Sequence, residues 1–163
     1  MNPDSLPEAV HLSITALGQS IGVQALALDA EGCLALGIGE GLAVELVSQP
    51  EQSCLLLFGA GGLLPPGCGP APLKALLQAN FGWQSTGGAT ISLDAEDPPH
   101  VLLALRLPWH TLSQEALLEA FETLRSRLPG LQTWLREQAL APASCTGEAA
   151  AVGAASPPWH DLA

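Results

Sequence analysis

Apolar residues recur at helical spacing in three stretches of the chain. In residues 5–21 they are three or four positions apart and so lie on one face of a helix: Leu6, Val10, Ile14, Leu17 and Ile21. A shorter pattern of this kind begins at Pro72, and a third extends from Thr111 to Leu135. The pattern predicts three helices, and the proline at 129 predicts a kink or a restart within the last one.

Polar residues and glycines mark where these helices begin and end. Ser5 with Glu8, and Thr111 with Gln114, match the capping box that starts a helix. Residues 18–22, Gly-Gln-Ser-Ile-Gly, offer glycine as the stop signal of the first helix.

Between the helices, short apolar segments are separated by turn residues, which is typical of strands. The predicted strands are residues 25–28, 33–38, 42–47, 54–58, 89–93 and 101–107. The first two would form a hairpin around the turn at residues 29–32, whereas residues 59–72, rich in Gly and Pro, are expected to be neither strand nor helix.

Three of the four segments before the second helix are counted as strands, so the predicted order is α-βββ-α-ββ-α, which indicates an α+β fold with a twisted, mainly antiparallel sheet covered by helices. With 163 residues in all, we expect one domain over residues 1–138. Residues 139–163 are Ala- and Pro-rich without periodicity, and we expect a disordered tail there.

The charge of the chain is strongly asymmetric. The formal net charge is -11, and all five basic residues lie after residue 73, whereas the first 73 residues contain seven acidic ones. Nucleic-acid binding depends on Lys and Arg that neutralise phosphates, so we expect no nucleic-acid partner. Anionic membranes are disfavoured for the same reason, and a basic or neutral polypeptide fits this charge better.

The N-terminal segment lacks the basic and apolar regions of a signal peptide, and no apolar run is long enough to span a bilayer. The four cysteines show no C-x-x-C spacing, which predicts reduced thiols. We therefore expect a cytoplasmic protein without membrane insertion.

No combination of residues indicates catalysis, a cofactor or a metal. Residues 18–22 match G-x-S-x-G, but a helix precedes the serine and a strand follows it, the reverse of a nucleophile elbow. The glycine clusters lack the last glycine of G-x-G-x-x-G and the P-loop lysine. Asp94, Glu96 and Asp97 are predicted to form a solvated turn. Apolar helix faces exceed what one small domain buries, which favours association.

Three segments resemble the class I type III secretion chaperones, the family typified by the Tir chaperone. Residues 28–34, Leu-Asp-Ala-Glu-Gly-Cys-Leu, resemble the family's first hairpin. Residues 76–81, Leu-Leu-Gln-Ala-Asn-Phe, resemble its L-L-x-x-N-F helix end, and residues 87–94 resemble the strand that follows. The resemblance extends over residues 5–138.

The resemblance implies a homodimeric, non-enzymatic cytoplasmic chaperone that binds the N-terminal region of a secreted effector and delivers it to the export apparatus. A regulator of the same fold, which sequesters another secretion-system protein to control expression, is the alternative. The family's effector contacts would fall on Leu17, Ile21, Leu26, Leu28, Leu34 and Leu36. Its dimer contacts would fall on Leu73, Leu76, Leu77, Phe81 and Trp83.

Overall fold

The computed structural model describes residues 6–140. Its elements follow the predicted order α-βββ-α-ββ-α, which is thereby confirmed. In chain order they are α1 (Glu8–Ile21), β1 (Cys33–Gly39), β2 (Leu42–Gln49), β3 (Cys54–Leu63), α2 (Pro70–Ala79), β4 (Thr90–Leu93), β5 (His100–Pro108) and α3 (Gln114–Leu140). The expected tail at 139–163 lies, apart from the last two residues of α3, outside the described residues.

The five strands form one sheet in the order β1-β2-β3-β5-β4, so β1 and β4 are its two edge strands. Strands β1, β2 and β3 pair antiparallel, with Leu34 opposite Leu46 and Leu46 opposite Leu57. Side chains alternate between the faces of a sheet, so this register aligns apolar residues on one face. Leu46 and Leu57 are fully buried there.

The described chain forms two compact units. The first contains residues 6–59 and 104–126, and the second contains residues 60–103 and 127–140. The buried apolar residues of the first unit include Val10, Ile14, Leu17, Val44, Leu46, Leu55, Leu57, Leu117 and Leu124. Those of the second include Leu76, Ala79, Val101, Leu103, Leu128, Leu131, Trp134 and Leu135. Each unit therefore has apolar residues buried from both its strands and its helices.

Both glycines of residues 18–22 serve the end of α1. Gly22 adopts the left-handed conformation, with φ 75, that closes a helix. At Gly18 a Cβ atom would lie 2.8 Å from the Cβ of Leu26, so the chain can fold back closely only over a glycine. The N-cap of α1 is Pro7 without a side-chain hydrogen bond, and Ser5 of the predicted capping box lies outside the described residues.

The predicted strand at residues 25–28 is wrong. Ala25 has a φ of 55, which interrupts an extended strand. Asp29 then closes a local turn, because its carboxylate accepts hydrogen bonds from the N–H groups of Glu31 and Cys33, each 2.9 Å long. The first hairpin is consequently formed by β1 and β2.

The predicted loop at residues 59–72 is shorter in the structure, because β3 extends to Leu63 and α2 begins at Pro70. Glycine allows this extension: a Cβ atom at Gly61 would lie 2.5 Å from the Cγ atom of Leu131 on α3. Proline is compatible with the start of α2, since the first helical residues have no internal partner for their N–H groups. Only residues 64–69 form the connection.

Helix α3 runs through Pro129 without the predicted restart. A proline inside a helix costs about 3 kcal/mol, but the apolar stripe on both sides of it is buried, including Leu128 and Leu131, and this burial offsets the cost. The N-terminal cap also differs from the prediction. The hydroxyl of Ser113, rather than that of Thr111, accepts the hydrogen bond from the N–H of Ala116, at 3.0 Å.

Candidate functional site

The outer edge of β1, in the first unit, is open to a further strand. Ser48 N–H donates to the carbonyl of Gly32, at 2.8 Å, and this bond fixes which residues of β1 turn their main-chain groups toward β2. In an antiparallel pair these groups alternate along the strand, so Leu34 and Leu36 bond toward β2 while residues 35 and 37 point away from it. The small side chains of Ala35 and Gly37 leave this edge accessible.

A groove of about 510 Å³, lined by both apolar and polar residues, lies beside this edge within the first unit. We call it the edge groove; it is lined by Ser20, Ile21, Val23, Ala35, Leu36, Gly37, Ile38, Phe121, Glu122 and Arg125. Its polar residues include an ion pair, in which the Arg125 guanidinium lies 2.6 Å from the Glu122 carboxylate. The groove therefore combines apolar side chains, an ion pair and an exposed main-chain edge.

Carboxylates surround the start of the same strand. Burial raises the pKa of the Cys33 thiol, and the negative charges of Asp29, Glu31 and Glu45 raise this pKa further. Glu45 is exposed on β2, directly opposite Ala35 of the edge. In the described part of the first unit the Lys and Arg residues are Arg106 and Arg125, and Arg125 lines the edge groove as the partner of Glu122.

The leucines that the sequence assigned to effector binding differ in accessibility. Leu17, Leu26 and Leu36 are buried, with 1%, 8% and 9% of their surface exposed. Ile21, Leu28 and Leu34 are partly exposed, and only Ile21 and Leu36 line the edge groove. Their contact with an effector stays a prediction.

Sequence reasoning missed three apolar residues of this groove, Val23, Ile38 and Phe121. Ile38 lies on the same face of β1 as Leu34 and Leu36, and this alternation could have predicted its position from the sequence. Val23 and Phe121 come from a loop and a distant helix, and no local pattern links them to β1.

A second apolar surface lies on the second unit, around α2. We call it the α2 patch; it consists of Leu73, Leu77, Phe81 and Trp83, all exposed, with Phe81 at 92% and Leu77 at 71%. Leu76, assigned to the same interface from the sequence, is instead buried at 4% within its own chain. Leu73 and Leu77 are four positions apart and thus share a helix face. Contact of this patch with a second copy stays a prediction.

Asn80 positions the end of α2 against β4. Its carboxamide oxygen accepts the N–H of Ile91 at 2.7 Å, and its NH₂ group donates to the Ile91 carbonyl at 3.1 Å. The side chain thus acts as a neighbouring strand would, at an edge strand of the sheet. Trp83 is held nearby by a hydrogen bond from its indole N–H to the Thr90 hydroxyl, at 3.3 Å. The asparagine of the L-L-x-x-N-F pattern therefore has a structural role.

Hydrogen bonds to Asp94 stabilise the acidic turn between β4 and β5. Desolvation acts to raise the pKa of Asp94, but hydrogen bonds from the main chain and imidazole of His100 and from the Glu96 N–H outweigh it and lower that pKa. The Asp94 carboxylate lies 2.7 Å from the His100 Nδ1 atom. This geometry agrees with the predicted solvated turn.

Residues 6–140 contain neither a metal-binding cluster nor a membrane-spanning helix. No group of three or more His, Cys, Asp or Glu side chains in that range is arranged to hold a metal ion. Among the same residues, no helix has both the length and the hydropathy needed to cross a membrane.

Comparison with solved structures places the fold among complexes of secretion proteins. The chain matches a chain of the ExsC–ExsE complex with a TM-score of 0.64 and 21% identity, over 80% of this chain and 97% of that one. It matches a chain of the Yersinia pestis type III secretion chaperone SycH in complex with a fragment of YscM2 with a TM-score of 0.58 and 22% identity, over 74% and 97%. It matches a chain of the Pseudomonas aeruginosa ExoT–SpcS complex with a TM-score of 0.55 and 21% identity, over 74% and 95%.

A search of curated proteins found no match. The model of the Tir chaperone protein (CesT) family, in contrast, matches residues 13–128, which is more than half of the chain. This match includes α1 from Ser13 onward, the whole sheet and the first half of α3. The chain therefore belongs to the Tir chaperone protein (CesT) family.

Proposed function

We propose that this protein is a type III secretion chaperone that binds the N-terminal region of a secreted effector in the cytoplasm, keeps it competent for export and delivers it to the secretion apparatus. The observation that carries the proposal is the open β1 edge beside the edge groove, in a chain of the Tir chaperone family. Structures similar in fold include the type III secretion chaperone SycH in complex with a fragment of YscM2 and the HopA1–SchA chaperone–effector complex.

Strand addition at the β1 edge would bind an effector without any catalytic step. An extended segment that pairs with an exposed strand edge gains main-chain hydrogen bonds, and its alternate side chains enter neighbouring pockets. Here the main-chain groups of residues 35 and 37 would supply the hydrogen bonds, and the edge groove would take the apolar side chains. A bound segment would stay extended, which is the state that passage through a narrow export channel requires.

We further propose that the protein acts as a homodimer through the α2 patch. Phe81, Leu77 and Trp83 expose large apolar surfaces that are costly to leave in water. A second copy would cover them, and the two β1 edges would then be available to one client chain.

The test is co-purification of the protein from its native host, followed by mass spectrometry of what binds. An Ala35→Pro variant tests whether the partner binds at the β1 edge. Because the N–H of residue 35 points away from β2, proline removes a donor from the open edge while the β1–β2 hydrogen bonds remain. We expect a secreted protein, bound through its N-terminal segment, to be recovered with the native chain and lost with Ala35→Pro.

The regulator alternative makes a different prediction in the same experiment. A protein that controls expression would retain a partner that is not secreted, and deleting the chaperone would change transcript levels of the secretion genes. Recovery of no secretion-system protein, or equal recovery by the Ala35→Pro variant, would overturn binding at the β1 edge.

A further inference from the structure

The sheet has two edges, and polar side chains engage part of each of them. At β4 the outward main-chain groups of Ile91 are both engaged by the carboxamide of Asn80. At β1 the start of the edge is closed by Asp29, whose N–H donates to the Cys33 carbonyl at 2.8 Å and whose carboxylate accepts the Cys33 N–H. The main-chain groups that remain for an incoming strand belong to residues 35 and 37.

This short edge determines where the side chains of an added strand would lie. The client residue paired with Ala35 would project its side chain on the same face as Ala35, and therefore on the same face as Glu45, which is opposite Ala35 on β2. The client strand and β2 would be about 10 Å apart, two strand spacings. Since Ala35 is small, a long side chain of the client can extend across it and meet the Glu45 carboxylate.

The client residues on either side would face the other way. Side chains alternate along a strand, so these two would point to the face that carries Leu36 and Ile38 and would enter the edge groove. In that groove the exposed Val23 and the partly exposed Ile21 and Ile38 are available to aliphatic side chains.

We propose that the client segment recognised at this edge is a strand in which a lysine or arginine lies between two aliphatic residues, with the basic side chain paired to Glu45 across Ala35. This proposal rests on the proposed function and narrows its partner to an apolar-basic-apolar strand. The charges near the edge support it, because Asp29, Glu31 and Glu45 all lie close enough to raise the pKa of the Cys33 thiol, and the cation of the edge groove, Arg125, is already paired with Glu122.

Three labelled peptides that differ only at their central residue test the proposal: STTVKVTTS, STTVEVTTS and STTVTVTTS. Their affinities for the full-length protein are measured by fluorescence anisotropy. We expect the lysine peptide to bind about fivefold tighter than the threonine peptide, the effect of one exposed ion pair, and the glutamate peptide to bind more weakly than both. The difference should vanish in about 1 M salt, where the screening length is about 3 Å.

Two variants of Glu45 test whether this residue is the one that pairs with the basic side chain of the client. Glu45→Lys should reverse the preference so that the glutamate peptide binds best, and Glu45→Gln should make the three affinities equal. Glu51→Lys is the matched control, because it makes the same charge change at an exposed carboxylate that does not act on Cys33. It should retain the preference for lysine. Circular dichroism confirms that each variant is folded.

The outcomes separate this proposal from the proposed function. Equal binding of the three peptides to the native chain, with binding lost in Ala35→Pro, overturns the basic preference but supports strand addition at β1. A preference for lysine that Glu51→Lys abolishes as fully as Glu45→Lys shows a general charge effect and overturns the pairing with Glu45. If no peptide binds up to about 1 mM, or if Ala35→Pro binds as the native chain does, both the edge and the preference are overturned.

Discussion

Replacing Asn80 with alanine should destabilise the protein by removing the cap of β4. The side chain makes two hydrogen bonds to Ile91, of 2.7 and 3.1 Å, and alanine makes neither. A neutral hydrogen bond contributes about 0.5–1.5 kcal/mol, so the loss is about 1–3 kcal/mol. Water can reach an edge strand and re-form part of this bonding, which places our expectation near about 2 kcal/mol.

A loss of this size is measurable as a shift in Tm. For a chain of this length, about 2 kcal/mol corresponds to a decrease of roughly 4–8 °C. Thermal unfolding should be followed by circular dichroism at one fixed protein concentration, since association would make Tm depend on concentration.

Gln78→Ala is the matched control for Asn80→Ala. Gln78 is exposed on the same helix, two residues away, and alanine is slightly the better helix former. Its Tm should stay the same or rise slightly. If Asn80→Ala and Gln78→Ala unfold within about 1 °C of each other, the carboxamide of Asn80 does not stabilise β4.

Three further predictions concern packing, association and pH. Gly61→Ala should destabilise the protein by about 1–3 kcal/mol, because its Cβ would lie 2.5 Å from a leucine of α3, whereas Gly69→Ala, with open space around it, should have little effect on denaturant unfolding. Phe81→Asp should keep the fold and reduce the mass measured by light scattering from about twice 16.8 kDa to that of a single copy. Leu76→Asp should instead unfold the chain, because it buries a charge. If the Phe81→Asp variant is still a dimer, the α2 patch is not the interface. The pKa of Asp94 is lowered in the folded state, so this carboxylate stabilises the protein above its unfolded pKa and loses that contribution as the pH falls through its folded pKa. The stability of Asp94→Asn should therefore decrease less steeply with falling pH. An identical dependence of stability on acid pH in the variant and the native chain would contradict this.

Local patterns in the sequence were sufficient for the elements. Apolar spacing located α1 and α3, and alternation located β1 to β5 within a few residues. The errors arose where main-chain conformation depends on a contact elsewhere. Ala25 leaves the strand region beside a helix end, and residues 59–63 join β3 because Gly61 can lie against Leu131. The glycine-rich composition of residues 59–63 predicts a loop, because the sequence does not show that α3 packs against them.

The order of elements, the acidity of the first half and the membership of the family were thus determined by the sequence itself, since periodicity, charge and motif spacing are properties of consecutive residues. Tertiary structure alone decided which apolar side chains remain accessible. Leu76 and Leu77 are adjacent on one helix, yet one is buried at 4% and the other exposed at 71%. The reason is physical: a pattern gives the face of an element, but only the packed neighbours determine whether that face meets protein or water.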